Sequence, residues 1–286
     1  MKYQVVAAHQ AEHRLTRLCQ ALGISRTGYH AWRHRPASPR AQANARLVKR
    51  MIQLHRQLKE RYGTIKLWRT LVAEGVPCGR HRVARLRRQQ GLIARRIRRF
   101  RLMHKRHAFA PPAPNRLQQL FVASAPNRIW AGDLTAIPTR AGWVYLAVIL
   151  DLYSRRVIGW AMSPRPDQPV ALTALQTALT HRHPRPGLIH HSDQGATYTS
   201  GAYQRLVRQA GLVASMSRQG NCYDNAVVES FFRTLKNELV HDQDFSTREE
   251  ARAAVFEFIE VFYNRQRLHQ TLGYVSPVQC EAVQIP

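Results

Sequence analysis

The sequence predicts a mixed α/β protein, with a five-stranded sheet flanked by helices and preceded by all-α helix-turn-helix-like units. Three observations predict it. Up to Gln90, apolar residues recur at helical spacing. From Ile129, three strand-like runs follow one another at hairpin distances, and beyond Val170 helical and strand-like runs alternate. With 286 residues the chain can bury at least one full core, and length alone suggests about two domains.

The elements follow in order. Within Glu12–Arg35, Leu15, Leu18, Cys19 and Leu22 mark one short helix, Gly23 breaks it, and Ser25 can cap a second helix carrying Tyr29 and Trp32. Residues 1–36 are thus a short helix-turn-helix-like unit, closed by Pro36 and Pro39. Residues 41–94 form a second, basic unit of the same kind. Its helices carry Leu47, Met51, Leu54 and Leu58, then Leu67, Trp68 and Leu71, then Val83 and Leu86. The last of these also bears Arg80, Arg82, Arg85, Arg87 and Arg88, as a helix docking on DNA does. A basic arm and a Pro-rich linker occupy 95–124, and the α/β core is expected over 125–286. Its strands are Ile129–Ile137, Trp143–Leu152, Arg156–Met162, Gly187–His191 and Val213–Met216. Its helices are Val170–Leu179, Ala202–Ala210, Asp224–Leu239 and Arg248–Tyr263.

Charge is the strongest bulk signal. The chain carries a formal +27, and residues 1–132 hold 29 Lys/Arg against only Glu12, Glu60 and Glu74. A solvated face is normally interspersed with acids, and Gly75–Gly132 has none, so a polyanionic partner is expected, nucleic acid before an anionic membrane. The arm residues Arg95, Arg96, Arg98, Arg99, Arg101, Lys105 and Arg106 suit contacts to phosphates. No apolar run is long enough to span a membrane and the N-terminus lacks the pattern of a signal peptide. Four scattered cysteines form no CxxC. A reducing cytoplasm, beside the nucleoid, is the expected setting.

The second half is nearly neutral, so its acids stand out singly. Asp133 lies inside the first strand, where it is either a partly exposed edge-strand residue or a ligand. Asp193, in LIHHSDQGATYTS, ends a short apolar strand, as a turn residue does or as a metal ligand at the carboxyl edge of a sheet does. Glu229 borders the helical stripe Val228, Phe231, Phe232, Leu235 and Leu239, where a solvated flank is the ordinary reading. Asp151 reads as a strand-end partner of Ser154 or Arg155 rather than a ligand, and no role for His191 follows from sequence. Taken together the three acids are more specific. Thirty-five residues separate Asp193 from Glu229, and Lys236 follows seven later on the same helical face, with Arg233 between. Three carboxylates can hold a pair of Mg²⁺ ions, and cations along the helix can grip phosphates.

This set resembles the DDE catalytic core shared by retroviral integrases and bacterial insertion-sequence transposases of the second-reading-frame type. The surrounding words are similar too: WAGDLT at Asp133, DLYSRRVIGW, HSDQG at Asp193, DNAVVESFFRTLKNE at Glu229, and the ending YNRQRLHQTLGYVSP. The resemblance covers Ala125–Gln284 densely and implies an RNase H-like fold. It implies metal-dependent cleavage of element ends and strand transfer into target DNA, with Asp133, Asp193 and Glu229 catalytic and metal-holding. Two Mg²⁺ ions per site are implied, with Mn²⁺ able to substitute. Retroviral integrases carry a zinc module of two His and two Cys; here His9 and His13 are followed by no CxxC, so no zinc is expected. Expected partners are double-stranded DNA (terminal repeats and target), further copies assembling on that DNA, and an upstream-frame protein or fusion. Two rivals remain: an RNase H-like nuclease or resolvase, and a DNA-binding regulator with an inactive core. The intact triad weighs against the second.

Overall fold

The computed structural model describes residues 2–95, 112–218 and 222–283. The chain forms two compact units, one of residues 1–60 with 70–93, the other of 61–69 with 94–286. Through residue 93 run six helices: α1 (Lys2–His9), α2 (Leu15–Ala21), α3 (Arg26–His34), α4 (Pro39–Gln57), α5 (Thr64–Ala73) and α6 (Arg80–Gln89). Ser25 caps α3, its Oγ accepting the Gly28 N–H at 2.9 Å, as a serine after a glycine break predicts. Helix α1 was not legible in the sequence, because only Val6 of its eight residues is buried. Val6 packs with Cys19 and Tyr29, and Tyr3 stacks on Trp32. In the remainder of this unit Leu47, Met51, Leu54, Val83 and Leu86 are buried on α4 and α6.

The second unit is built on a sheet of β1 (Ile129–Thr139), β2 (Gly142–Asp151), β3 (Val157–Ser163), β4 (Ile189–Ser192) and β5 (Val213–Met216), in the order β3-β2-β1-β4-β5. Strands β1, β2 and β3 pair antiparallel, while β1–β4 and β4–β5 pair parallel. The antiparallel part follows from short connections, and the parallel part from the helical crossovers between strands. These helices are α7 (Gln168–Arg182), the single turn α8 (Ala196–Thr199) and α9 (Gly201–Gln209). After β5 come α10 (Ala226–Glu238), entered through a 3₁₀ turn at Cys222–Asn225, then α11 (Arg248–Phe256) and α12 (Pro277–Ala282). The sequence suggested one helix over Arg248–Tyr263, but its second half, Glu257–Tyr263, is wound as a π-helix.

Alternation along the strands sorts side chains to two faces. One face carries Trp130, Ala147, Ile149 and Ile158 against Val170, Ala174, Leu175 and Ala178 of α7. Helix and sheet approach closely there: a Cβ on Gly159 would fall 2.7 Å from the Ala178 nitrogen, so only glycine fits. The other face carries Ala131, Asp133, Thr135 and Ile137, and α10 and α11 pack on β1. Asp133 therefore lies in a central strand, not an edge strand, and is only 8 % exposed. One of the two edges, β3, is partly covered: buried Asn264 accepts the Val157 N–H and donates to its carbonyl, at 3.0 and 2.9 Å. Among the described residues no helix is long and apolar enough to cross a membrane.

Buried histidines give this unit a pH dependence. His190 bonds Tyr203, and burial pushes its pKa down to about 3. His269 is likewise pushed down to about 2, first by burial and then by Arg267. The unfolded chain takes up these protons near pH 6.5 and the folded chain resists, so stability is lost as pH falls below that value. Each histidine contributes a limiting slope of about 1.4 kcal/mol per pH unit. Guanidinium unfolding is expected to show a clearly lower free energy at about pH 5.5 than at about pH 7.5. Equal values would mean that these imidazoles are solvated.

Candidate active site

The site rests on the parallel pairing of β1 with β4. Ala131 stands opposite His191 and lies on the same face of β1 as Asp133, and Asp193 follows directly after the end of β4 at Ser192. Asp133 and Asp193 are nearly buried, at 8 and 7 % exposure. Asp133 Oδ1 accepts the Leu134 N–H at 2.8 Å, and Asp193 Oδ1 accepts the Gly195 N–H at 2.7 Å. Gly195 has a specific steric role. A Cβ there would lie 2.8 Å from Asp193 Oδ1, so the glycine makes room for the carboxylate itself.

Glu229 enters from the first turn of α10, half-buried. The start of that helix is tied to the strand bearing Asp133, because buried Asn225 donates from Nδ2 to the Gly132 carbonyl at 3.3 Å. Just before it, Asp224 is fully buried. It accepts hydrogen bonds from Asn115, Gln119 and both the main chain and guanidinium of Arg218, all at 2.9–3.0 Å. The Arg218 guanidinium holds the Asp224 carboxyl well below the usual carboxylate range. Asp224 and Asn225 order the approach to Glu229, yet neither stood out in the sequence. The signal available was their place in the DNA triplet just ahead of the helix.

Lys236 is 7 % exposed and lies within electrostatic reach of Asp133: burial lowers its pKa and the aspartate raises it. The seven-residue spacing thus brings this lysine to the carboxylates rather than to an outer phosphate-gripping face. Arg233 is exposed, one turn beyond Glu229. Among the described residues no three acidic, histidine or cysteine side chains stand close enough to hold a metal ion together. Asp133 lies within β1 and Asp193 just beyond the end of the neighbouring β4, while Glu229 lies in the first turn of α10, which packs on β1. The oxygens of these residues are the hard donors that a divalent cation such as Mg²⁺ takes. Buried Asn225 Oδ1 adds another, without a hydrogen-bond partner among the described residues. The neighbouring imidazole does not compete. His191 is fully buried in neutral form, with Nδ1 on Ser215 at 2.9 Å and Nε2 on Ser217 at 3.2 Å. It joins β4 to β5, the role that sequence left open.

Asp151 is the strand-end partner of Arg155 that the sequence suggested, through its carbonyl, which accepts the Arg155 N–H at 2.8 Å. Asp151 is fully buried, but its carboxylate accepts the main-chain N–H groups of Asn127 and Tyr153, at 2.7 and 2.8 Å. Ser154 instead donates to Glu281 of α12, which also pairs with Arg156 and Arg182. Arg95 likewise pairs with Asp242 at 3.0 Å within its own unit. On α6, Arg80, Arg85 and Arg88 are exposed while Arg82 and Arg87 are half-buried, with Arg82 held by Asn44 at 2.8 Å. Arg96, Arg98, Arg99, Arg101, Lys105 and Arg106 lie outside the described residues.

Residues 123–222 and 229–284 each match a family model described as integrase core domain, and residues 42–100 match one described as HTH-like domain. The chain is 43 % identical over 283 residues to the transposase InsF for insertion sequence IS3A of Escherichia coli K12, covering 98 % of both chains. The chain belongs to the insertion-sequence transposases. It is also 44 % identical over 260 residues to the insertion element IS600 uncharacterized 31 kDa protein of Shigella sonnei, covering 91 % of this chain and 96 % of that one. Among solved structures it is similar to a chain of the simian T-cell lymphotropic virus intasome, with TM-score 0.48 and 17 % identity over 82 % of this chain and 75 % of that one. The HTLV-2 integrase catalytic core in complex with magnesium gives TM-score 0.43 and 17 % identity, over 56 and 99 % of the two chains. This transposase is a polynucleotidyl transferase with an RNase H-like integrase core, preceded by a helix-turn-helix-like region.

Gly195→Ala tests the steric argument. Displacing the Asp193 carboxylate by a fraction of an ångström to an ångström is expected to cost about 100-fold in strand transfer. DNA affinity in a filter-binding assay should stay at the level of the unaltered transposase.

Proposed function

We propose that Asp133, Asp193 and Glu229 are the catalytic carboxylates of this transposase and hold two divalent cations, Mg²⁺ with Mn²⁺ able to replace it. The observation that supports the reading is the parallel pairing of β1, which bears Asp133, with β4, which ends one residue before Asp193, together with the tether of the Glu229 helix to Gly132. Cations so held would activate water or a DNA 3′-hydroxyl and stabilise the oxygen leaving the phosphodiester, first at the element ends and then at the target. The protein's own groups position that chemistry. Lys236 offsets the charge of Asp133, which eases the crowding of carboxylates on one face. Exposed Arg233 extends from the same helix toward a bound strand's phosphates. Arg80, Arg85 and Arg88 of α6, with the basic run from Arg96 to Arg106, hold the duplex. Copies carrying +27 repel one another, so they pair on DNA, which screens that charge, or through an upstream-frame partner.

Asp133→Asn, Asp193→Asn and Glu229→Gln are each expected to abolish cleavage and joining of labelled element ends while leaving DNA affinity within about threefold, since they remove metal-binding charge and no basic residue. The unaltered protein should require Mg²⁺ or Mn²⁺, with Ca²⁺ supporting binding alone. Strand transfer surviving in Asp193→Asn would falsify the assignment.

Replacing Arg80, Arg85 and Arg88 together by alanine is expected to weaken binding to every duplex alike. The slope of log affinity against log salt should fall by about 3, close to 0.9 for each phosphate that is no longer neutralised. Loss of preference for one sequence with an unchanged slope would show that α6 reads bases instead.

A further inference from the structure

Two sequence motifs have no part in the carboxylate site: the DLYSRR turn after β2, and the closing YNRQRLHQTLG stretch. Both line one cavity of about 390 Å³ in the unit that contains the sheet, beside α10. Its wall includes Lys66, Arg155, Tyr263, Arg267, His269 and Thr271, and no acidic side chain among the described residues.

The cations are not equivalent. Arg267 is committed to Glu238, whose two oxygens accept from its Nε at 3.0–3.1 Å and from Nη2 at 2.7 Å. It also donates from Nη1 to His269 Nε2 at 3.4 Å, so that imidazole is an acceptor and adds no positive charge. Lys66 lies over the Tyr62 ring at 5.2 Å, and burial followed by the Arg267 charge lowers its pKa to about 8. Arg155 is the residue without an internal explanation. It donates from Nη2 to the Phe121 carbonyl at 3.2 Å, while its buried Nη1 has no hydrogen-bond partner among the described residues. A guanidinium cannot shed its charge to escape this. The backbone of Arg155 is also held at φ +61°, where a non-glycine residue is strained. A strained residue in a cavity wall with an unsatisfied charged donor is a cost that a ligand reaching that donor can offset.

We propose that this cavity is a phosphate-binding site, with Arg155 Nη1 and the Lys66 ammonium as its charged donors and the Thr271 hydroxyl at its mouth. A forked guanidinium and a point-charge ammonium together suit a tetrahedral oxyanion better than a flat carboxylate. The volume exceeds what a phosphate fills, leaving room for the sugar of a nucleotide attached to it. The phosphate is therefore either a backbone phosphate of an unpaired DNA strand or a free one, and the chemistry of recognition is the same.

The experiment reads Lys66 itself. The full-length protein, free of divalent cations so that the outcome is independent of the carboxylate assignment, is treated at about pH 8 with an amine-acylating ester, and modification is mapped by mass spectrometry. Inorganic phosphate, compared with chloride at equal ionic strength, and a single-stranded oligonucleotide are the two probes. At least one is expected to protect Lys66 about tenfold when present at ten times its dissociation constant. Protection by the oligonucleotide assigns the site to a DNA strand, and protection by inorganic phosphate alone assigns it to a free anion. Arg155→Gln should abolish the protection. Thr271→Glu, which places a carboxylate at the exposed mouth without disturbing the strained turn, should do the same. Protection by neither probe, or undiminished protection in both variants, overturns the proposal.

Discussion

The parallel pairing of β1 with β4 is the constraint on which the rest of the site depends. A one-residue slip in that register would turn Asp193 to the face occupied by α7. What resists the slip is the content of the two faces. His190 points to the α7 face and bonds Tyr203, while His191 points to the other and bridges Ser215 and Ser217. Exchanging them would leave two buried imidazoles without their partners, a cost of several kcal/mol at about 1–3 kcal/mol per unsatisfied group. Adjacent histidines that look redundant in the sequence therefore specify opposite faces of one strand.

The helix that carries Glu229 is held at both ends. Asn225 ties its start to Gly132, and Glu238, its last residue, receives the bidentate Arg267. Arg61 and Arg95 close on the same end by donating to the Glu238 carbonyl, at 3.1 and 3.2 Å, where cations also complement the helix dipole. Arg61 sits over the Phe262 ring at 4.2 Å, so part of its charge is compensated by an aromatic face. Tyr62 adds a second attachment, donating to the Gln266 carbonyl and accepting the Leu268 N–H. Residues 61–69 are thus integral to the unit that holds the sheet. The closing YNRQRLHQTLG stretch serves as an anchor as well as a cavity wall: Asn264 secures β3 and Arg267 secures α10.

The basic charge follows a different logic in each unit. On α6 three arginines stand exposed with no acidic neighbour in the helix, an arrangement stabilised by a polyanion and by little else. In the sheet unit several arginines are consumed internally, by Asp224, Glu238, Asp242 and Glu281. Net charge alone hides this division, since both kinds of arginine count equally in the +27.

The sequence by itself determined the α/β class, the five strands, most helices and the membership of the transposase family. Those signals are local: apolar residues at helical spacing, the Ser25 cap, or an acid where a strand wants an apolar residue. Only the tertiary structure decided that Asp133 is central rather than at an edge, that Lys236 turns inward to it, and that Gly195 makes room for the Asp193 carboxylate. It also decided that Asp151 serves main-chain N–H groups while Glu281 takes Ser154. Each of these depends on groups distant in sequence, such as Asp151 with Asn127 or Glu281 with Arg156. A residue type limits which partners are chemically possible. Which partner arrives is set by strand register and helix packing, and these are properties of the whole fold.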